Sequence, residues 1–316
     1  MRIDRIIADT PAPAEALFPK WRGREPLEPH RAEVEQRLAA RFPQLSDHAT
    51  DAAFDRFEAA HPAAPVHRYN QVPAKAAAQV AMLPTQVRAA WVCALMLRHM
   101  ARFDAAFAAT GLPDEFALHY VDQFHRILDS IDSEPEFAAL ESDTFLKDLW
   151  LTRLVMIPAF AQMWWPRSGL SARTTLKAGP RAIAYVFLEC GGRDRFLEGH
   201  THDPVARAYW NAPGWAEALR LAALALPALP QVRGAFGSAW FYDPAVLEIT
   251  PRISFTQDLQ AGQGALRIRV GSDADAIANA TRTSATRRER YRDGSYLPTD
   301  YAFIWSRKRL IARYGA

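Results

Sequence analysis

The chain has 316 residues, of which 49% are hydrophobic, and it carries a net charge of +3, so it can bury one large or two medium cores. Its only cysteines, Cys93 and Cys190, lack the paired spacing of a disulfide framework or a thiolate zinc cluster. The apolar runs are too short or too broken to span a bilayer and the first residues lack the apolar stretch of a signal peptide, so we expect a folded cytoplasmic protein without a membrane span.

The positive charge is concentrated near the C-terminus. Residues 267–316 contain eleven Arg or Lys against five Asp or Glu. A basic segment of this kind suits phosphate groups. It is accompanied by no helix-turn-helix pattern and no aromatic RNA-binding strand, so we expect no nucleic-acid partner.

The first half of the sequence predicts helices. Prolines are frequent in residues 1–28, which we interpret as an extended arm. Helical spacing of apolar residues then predicts a helical domain over residues 29–172, with a kink at Pro158 in its last helix. Its helices are predicted at residues 30–42, 47–60, 74–82, 84–110, 113–132 and 142–165.

Histidines and carboxylates recur along the predicted helix 113–132. His119, Asp122, His125, Asp129 and Asp132 are spaced three and four residues apart, as metal ligands in a helical bundle would be. A helical wheel places them opposite the apolar face, whereas bundle metal sites project inward, so we interpret them as a solvated face that binds no metal.

A second carboxylate and histidine pair, Glu58 and His61, has the spacing of a bundle metal site. Pro62 follows His61 directly and ends that helix, which leaves the pair at a terminus. A metal-dependent enzyme that uses non-haem iron or zinc remains an alternative function.

From about residue 172 onward the apolar period changes from that of helices to that of strands, which predicts a second domain over residues 173–316. We predict a hairpin of strands 182–190 and 195–202, then a helix at 214–226. The remaining predicted elements are strands at 232–242, 253–259 and 265–270, a helix at 273–292, a strand at 301–305 and a short helix after Ser306.

This order of strand, strand, helix, three strands, helix, strand and helix resembles that of the GNAT acyltransferases. The resemblance covers residues 182–316 and concerns the order of elements. It implies an α+β protein whose helical first domain precedes a GNAT-like mixed, mainly antiparallel sheet with flanking helices. It also implies transfer of an acyl group from a coenzyme A or carrier-protein thioester to a small-molecule amine or hydroxyl acceptor, without a tightly bound cofactor.

In the GNAT family a strand, a loop and a helix N-terminus hold the pyrophosphate of coenzyme A. The matching segment here is residues 267–272, and it has one glycine where the family has two. Ser272 and Asp275 fit a capping box and Asp273 adds a further negative charge, so an ordinary capped helix is the alternative. The candidate phosphate-binding residues are Gly271, Ser272, Arg282, Arg287 and Arg288.

His200 and His202 alternate with Glu198 onto one face of a predicted strand. Two such imidazoles can share a metal only with a third ligand, and they also suit a general base or a plain edge strand. We expect His200 or His202 to deprotonate the acceptor and no metal to be bound.

The segment Ser238–Pro244 resembles a bacterial family of unassigned function. If the acyltransferase resemblance holds, Tyr242 is the candidate acid that protonates the departing thiol. Trp240, Asp243 and Arg252 are the candidate substrate-binding residues, and an aromatic core is the alternative.

A non-catalytic binding or assembly module is the third function that the sequence allows. A cleft filled by side chains would favour it. A GNAT-like site instead requires two strands to diverge, and we expect this around residues 232–242 and 253–270.

Overall fold

The computed structural model describes residues 26–62, 69–202 and 209–315. The protein is α+β, as the sequence predicts, and it divides into two compact units, residues 1–158 and 159–316. The structural division lies within a segment that the sequence assigned to a helix, whereas the predicted division followed residue 172.

The first unit is helical. Thr50 and Ser142 begin two of its helices by accepting hydrogen bonds from the backbone N–H groups of Ala53 and Phe145. The helices are α1 (Leu27–Arg41), α2 (Asp51–Ala60), α3 (Ala74–Ala81), α4 (Arg88–Ala101), α5 (Phe103–Ala108), α6 (Glu115–Ser133) and α7 (Asp143–Thr152), with 3₁₀ turns at Pro43–Asp47, Thr85–Val87 and Pro135–Phe137.

The predicted helix over residues 142–165 is wrong beyond Thr152. Helix α7 ends there, and Leu154 adopts a left-handed φ of 56°. Two strands follow, β1 (Ile157–Ala159) and β2 (Gln162–Gly169). Pro158 cannot continue a helix, and the adjacent tryptophans of β2 suit a sheet buried on both faces.

The second unit contains a six-stranded mixed sheet in the order β1-β2-β3-β4-β6-β5, with β1 reaching across the unit boundary. The pairing is antiparallel except between β3 and β4. The remaining strands are β3 (Asp194–Thr201), β4 (Gly234–Ala239), β5 (Leu266–Gly271) and β6 (Asp300–Ser306).

The helices of the second unit flank this sheet. They are α8 (Ala172–Lys177), α9 (Pro180–Ala184) with a π-helical turn (Tyr185–Glu189), α10 (Ala212–Ala225), α11 (Ala245–Ile249), α12 (Phe255–Asp258), α13 (Ala274–Arg282), α14 (Ala285–Arg292) and α15 (Arg307–Tyr314), with 3₁₀ turns at Leu226–Ala228, Trp240–Tyr242 and Pro251–Ile253.

Two predicted strands of the second unit are wrong. Residues 182–190 form helix α9 and the π-helical turn, because Gly179 takes a positive φ of 87° and Pro180 occupies the first helical position. Residues 253–259 are helical, since Pro251 starts a 3₁₀ turn that leads into α12. The predicted helix 273–292 is interrupted at Thr283 and Ser284, where Ser284 caps α14.

The two faces of the sheet have different coverings. On one face, Phe196, Phe236 and Ile304 form an apolar cluster with Ala182 and Val186 of the α9 segment. On the other face lie α10, α15 and the segment around the Trp240–Tyr242 turn.

Among the described residues, no single helix has both the length and the apolar character needed to cross a membrane. The pair formed by residues 74–81 and 85–101, bent by 110°, meets those criteria only when both helices are counted together.

Candidate functional site

Strands β3 and β4 run parallel and separate after a short contact. Within the described residues, their pairing is confined to Leu197↔Ala235 and Glu198↔Phe236. Both strands continue beyond those pairs, to Thr201 and Ala239. The two parallel strands therefore diverge toward their C-terminal ends, where α/β sheets commonly bind ligands.

A narrow cleft lies at this divergence. Gly199 on β3 and Gly237 on β4 line it immediately after the last strand pair. Most other lining side chains are apolar or aromatic, and they come from β2, α10, β4, the Trp240–Tyr242 turn and β6: Trp164, Trp215, Ala218, Leu219, Ala235, Phe236, Tyr242 and Trp305, with the amides Gln162 and Gln260. The cleft holds about 10 Å³ of space that a water molecule can occupy, so side chains nearly fill it.

The two glycines leave room for the aromatic rings of the cleft. A Cβ on Gly199 would stand 2.8 Å from Cζ3 of Trp164, and a Cβ on Gly237 would stand 3.1 Å from the hydroxyl oxygen of Tyr242. Trp164 is held in place because its indole N–H donates to the carbonyl of Ala218 over 3.1 Å. Any larger residue at either glycine would move one of these rings.

Tyr242 is buried at the end of the 3₁₀ turn that follows β4. Its ring makes edge-to-face contacts with Phe241 and Phe303, with centroids 4.7 and 5.0 Å away. Burial raises the pKa of the Tyr242 hydroxyl, and the neighbouring Gln260 side chain partly offsets this increase. The phenol is therefore protonated at neutral pH and faces the cleft.

Glu198 and His200 lie on β3 on either side of the cleft-lining Gly199, so their side chains point to the opposite face of the sheet. Ser168 donates its hydroxyl to Glu198 Oε2 over 2.6 Å, and His200 Nε2 is 3.4 Å from the same oxygen. The structure thus brings together the predicted carboxylate and His200. His202, directly after the strand, is fully buried.

The predicted phosphate-binding segment has its polar groups directed elsewhere. Ser272 donates its hydroxyl to the carbonyl of Pro298 over 2.6 Å, and Asp273 caps α13 by accepting from the N–H of Ala276 over 2.9 Å. Burial and the charges of Asp273 and Asp275 raise the pKa of Asp300 to about 6. These three carboxylates make the turn after Gly271 an unfavourable place for a phosphate.

The three predicted phosphate-binding arginines differ in burial and in their contacts. Arg287 is buried, donates to the carbonyl of Ala280 and to Thr250 Oγ1, and lies 4.2 Å from the ring centroid of Trp240. Arg288 donates to the carbonyls of Thr281 and Arg282 at the end of α13. The Arg282 side chain is exposed.

Two of the predicted substrate-binding residues, Trp240 and Asp243, contact other groups of the protein. Trp240 packs on Arg287, while Asp243 is buried and accepts the N–H of Ala245 over 3.1 Å. Burial raises the pKa of the Asp243 carboxyl. Arg252 is exposed. Of the residues predicted for catalysis and substrate, only Tyr242 lines the cleft.

The polar side of helix α6 is only partly the solvated face that the sequence predicts, since Asp129 and Asp132 are exposed while its two histidines are not. His119 and His125 are buried, and His125 Nδ1 lies 2.9 Å from His30 Nδ1 of α1. Glu58 contacts His99 Nε2 over 2.6 Å, so the predicted Glu58/His61 pair does not form. Across the described ranges, no three His, Cys, Asp or Glu side chains are arranged to hold a metal ion.

A larger open groove of about 570 Å³ lies between the π-helical turn and residues 262–266. Three of its polar side chains contact other groups of the protein. Arg309 contacts Glu189 over 3.0 Å, and Tyr185 donates to the carbonyl of Gly264 while it accepts the N–H of Ser306. The cleft at the strand divergence remains the better candidate site.

Eleven of the twelve residues that line the cleft were not predicted as site residues, and Gly199, Gly237, Trp164 and Gln260 are among them. The two glycines carry a signal, because an isolated glycine within a strand pattern indicates a close approach of other groups. Trp164 was assigned to a helix, and Gln260 directly followed the predicted strand 253–259, so neither could be placed at a site.

Three comparisons relate the chain to known proteins. No family model matches it, and no curated protein matches it. Among solved structures, it is similar to an acyltransferase in complex with decanoyl-CoA and teicoplanin, with 13% identity, coverage of 96% of this chain and 93% of that chain, and a TM-score of 0.49. A mutant acyltransferase in complex with octanoyl-CoA gives 13% identity, the same coverage and a TM-score of 0.47. An acyltransferase in complex with CoA and 10C-teicoplanin gives 12% identity, coverage of 96% and 82%, and a TM-score of 0.42.

Proposed function

We propose that the second unit transfers an acyl group from a coenzyme A thioester to an amine or hydroxyl acceptor. The observation that carries this proposal is the divergence of the parallel strands β3 and β4 with the Tyr242 hydroxyl beside it. Backbone groups on the facing edges of the separated strands can bind an extended amide-containing arm, as a further strand would. Phosphopantetheine, the arm of coenzyme A, has two such amides.

Tyr242 supplies an acid that lines the cleft, and His200, on β3 beyond its last pair with β4, supplies a base on the opposite face of the sheet. The acceptor attacks the thioester carbonyl carbon, a carbon–nitrogen or carbon–oxygen bond forms, and the carbon–sulfur bond breaks. His200, paired with Glu198, takes the acceptor's proton. Tyr242 gives its proton to the departing thiolate and regains one from solvent.

Tyr242 can act as an acid because its phenol is protonated at neutral pH. Burial raises its pKa and so makes it a weaker proton donor than an exposed tyrosine. His202 lies two residues after His200 and is fully buried. We therefore assign the role of the base to His200. The phosphate-binding residues predicted from the sequence stay a prediction that their contacts do not favour.

Thiol release tests the proposal. The purified chain is mixed with acyl-CoA donors of increasing chain length and with amine or hydroxyl acceptors, and free thiol is followed with a chromogenic disulfide. We expect acceptor-dependent release, lowered about a hundredfold by Tyr242→Phe. Tyr291→Phe, at an exposed tyrosine, is the matched control and should leave the rate unchanged.

The donor can present its phosphopantetheine on coenzyme A or on a carrier protein. The same assay with an acylated carrier protein distinguishes the two sources. Release from neither donor, together with no binding of coenzyme A, would refute acyl transfer.

A non-catalytic binding or assembly module is the second candidate. The observation that favours it is the near-complete filling of the cleft by Trp164, Trp215 and Trp305. Under this alternative the three tryptophans belong to the hydrophobic core, and neither acyl donor binds among them. Calorimetry with coenzyme A and decanoyl-CoA decides between the two candidates, since acyl transfer requires measurable binding of at least one.

A further inference from the structure

Trp305 lies at the closed end of the cleft. It is on β6, where it pairs with Ala235 of β4, and Ala235 also pairs with Leu197 of β3. Strands β3 and β4 separate beyond this level, so the cleft opens away from Trp305. The Tyr242 hydroxyl lies beside Gly237, on the open side. An acyl chain that runs from a thioester at Tyr242 toward the closed end therefore meets the Trp305 ring.

The open groove of about 570 Å³ lies behind the same ring. Gly264 lines that groove, and a Cβ added to it would stand 3.2 Å from Cζ3 of Trp305. The same Cβ would stand 3.6 Å from Cδ of Arg309, which also lines the groove. The indole therefore faces the cleft on one side and has an edge against the wall of the groove. At this point one side chain and one glycine lie between the two spaces.

The surrounding residues hold the Trp305 ring in this position. Its indole N–H donates to Gln260 Oε1 over 3.2 Å, and its ring makes an edge-to-face contact with Tyr314, with centroids 5.7 Å apart. Trp164 is in a different position, because it lies against Gly199, which lines the cleft itself. A smaller residue in place of Trp164 would widen the cleft, whereas one in place of Trp305 would lengthen it toward the groove.

We infer that Trp305 limits the length of the acyl chain that the cleft accepts, because its indole closes the cleft against the groove. The inference rests on the proposed acyl transfer. Only about 10 Å³ of the cleft is unoccupied, so the wild-type protein should hold no more than a short acyl group such as acetyl. Beyond Trp305 the groove offers further apolar surface, which comes from Ala184, Leu188 and Leu266.

The length of the chain determines how much apolar surface the ligand can bury. Each methylene that moves from water into apolar surroundings strengthens binding about fourfold. In the wild-type protein this gain should end after the shortest chains, because Trp305 keeps further methylenes out. A leucine in its place leaves an apolar cavity, and such cavities bind apolar groups of matching size. The gain per methylene should then continue to longer chains.

Calorimetry with non-hydrolysable analogues of acetyl-, butyryl-, hexanoyl- and octanoyl-CoA tests the inference without turnover. We expect Trp305→Leu to bind the octanoyl analogue at least about tenfold more tightly than the acetyl analogue, and the wild-type protein to show no such preference. Trp165→Leu is the matched control. Trp165 is equally buried but is not among the described residues that line the cleft, so its loss should leave the dependence on chain length unchanged.

A second pair of variants keeps the tryptophan and moves it. Gly264 and Gly262 have positive φ values of 123° and 74°, so alanine strains the backbone at both positions. At Gly264 the new methyl group pushes Trp305 toward the cleft, whereas at Gly262 it meets no atom of the described residues within 4 Å. We expect Gly264→Ala to bind the acetyl analogue about tenfold more weakly than Gly262→Ala does.

The possible outcomes separate this inference from the proposed function. If Trp305→Leu keeps the wild-type dependence on chain length, or if the two glycine variants bind the acetyl analogue equally, Trp305 does not limit the chain, although acyl transfer can still be real. If Trp305→Leu does not fold, the glycine pair decides alone. If the wild-type protein binds neither coenzyme A nor any analogue, the proposed function is refuted and the inference with it.

Discussion

The Tyr242 hydroxyl lies against Gly237, close enough that a Cβ on Gly237 would be 3.1 Å from the phenolic oxygen. Gly237 is the first residue of β4 beyond its pairing with β3, so the diverging strand itself makes space for the candidate acid. The position of this hydroxyl therefore depends on the absence of a side chain at Gly237.

Gly237→Ala should lower acyl transfer more than it lowers stability. The added methyl group has to displace the phenol by a few tenths of an ångström, which misdirects its proton. We expect a loss in kcat of about tenfold or more, with the free energy of unfolding changed by about 1 kcal/mol or less. Ser238→Ala, at the adjacent exposed position, is the control. Equal activity of Gly237→Ala and wild type would contradict this role for the glycine.

Gly199→Ala should close the cleft from the other strand. A Cβ there would lie 2.8 Å from Cζ3 of Trp164, whose indole is held by Ala218. We expect calorimetry to show at least about tenfold weaker binding of acyl-CoA, equivalent to about 1.4 kcal/mol. Adding Trp164→Phe to Gly199→Ala should restore part of the affinity if the cause is steric. Undiminished affinity in the single variant would exclude Gly199 from the site.

Arg287→Ala should act on stability. Arg287 is buried, donates to Ala280 and Thr250, and packs on Trp240, so its loss leaves acceptors without a donor and opens a void. We expect urea unfolding to show a loss of about 2–4 kcal/mol, and the folded variant to keep its affinity for coenzyme A. Unchanged stability with lost affinity would instead support the phosphate role that the sequence predicts.

Asp300 should make the second unit more stable at mildly acidic pH. Its folded pKa is raised to about 6, above the ordinary value of about 3.9, by burial and by Asp273 and Asp275. The folded state therefore binds this proton more tightly than the unfolded state, so the stabilisation is full below pH 4 and is lost as pH rises through 6. Asp300→Asn should raise the melting temperature at pH 7.5 and have less effect at pH 4.5. A larger effect at pH 4.5 would contradict this assignment.

The sequence predicts the helical first half and four of the six strands at least in part, because those segments have a clear apolar period. It fails for β1 and β2, where the apolar run around Pro158 suits a helix and a buried strand equally. It also fails at residues 182–190, whose apolar residues end up in a short helix stopped by a π-helical turn. Tertiary contacts decide such short segments.

The candidate site was predictable only in part. Tyr242, Glu198 and His200 follow from local pattern and from the resemblance, since alternation on a strand places Glu198 and His200 together. The location of the cleft could not be predicted from the sequence, because it depends on which strands are parallel neighbours in the sheet. From the sequence we expected the strands to diverge between residues 232–242 and 253–270, whereas the diverging strands are β3 and β4. Gln260 and Trp164 line the cleft only because segments that are distant in sequence come into contact.

Hydrogen–deuterium exchange with and without a non-hydrolysable acyl-CoA analogue tests whether the acyl donor binds between the diverging strands β3 and β4. Within the described residues, the pairing between β3 and β4 ends at Glu198 and Phe236, so an extended pantetheine arm bound between the two strands beyond these residues should slow exchange there. We expect slower exchange in the peptides that cover residues 197–201 and 235–239. Binding of the analogue with protection confined to residues 267–292, or no change in exchange at either strand, would contradict it.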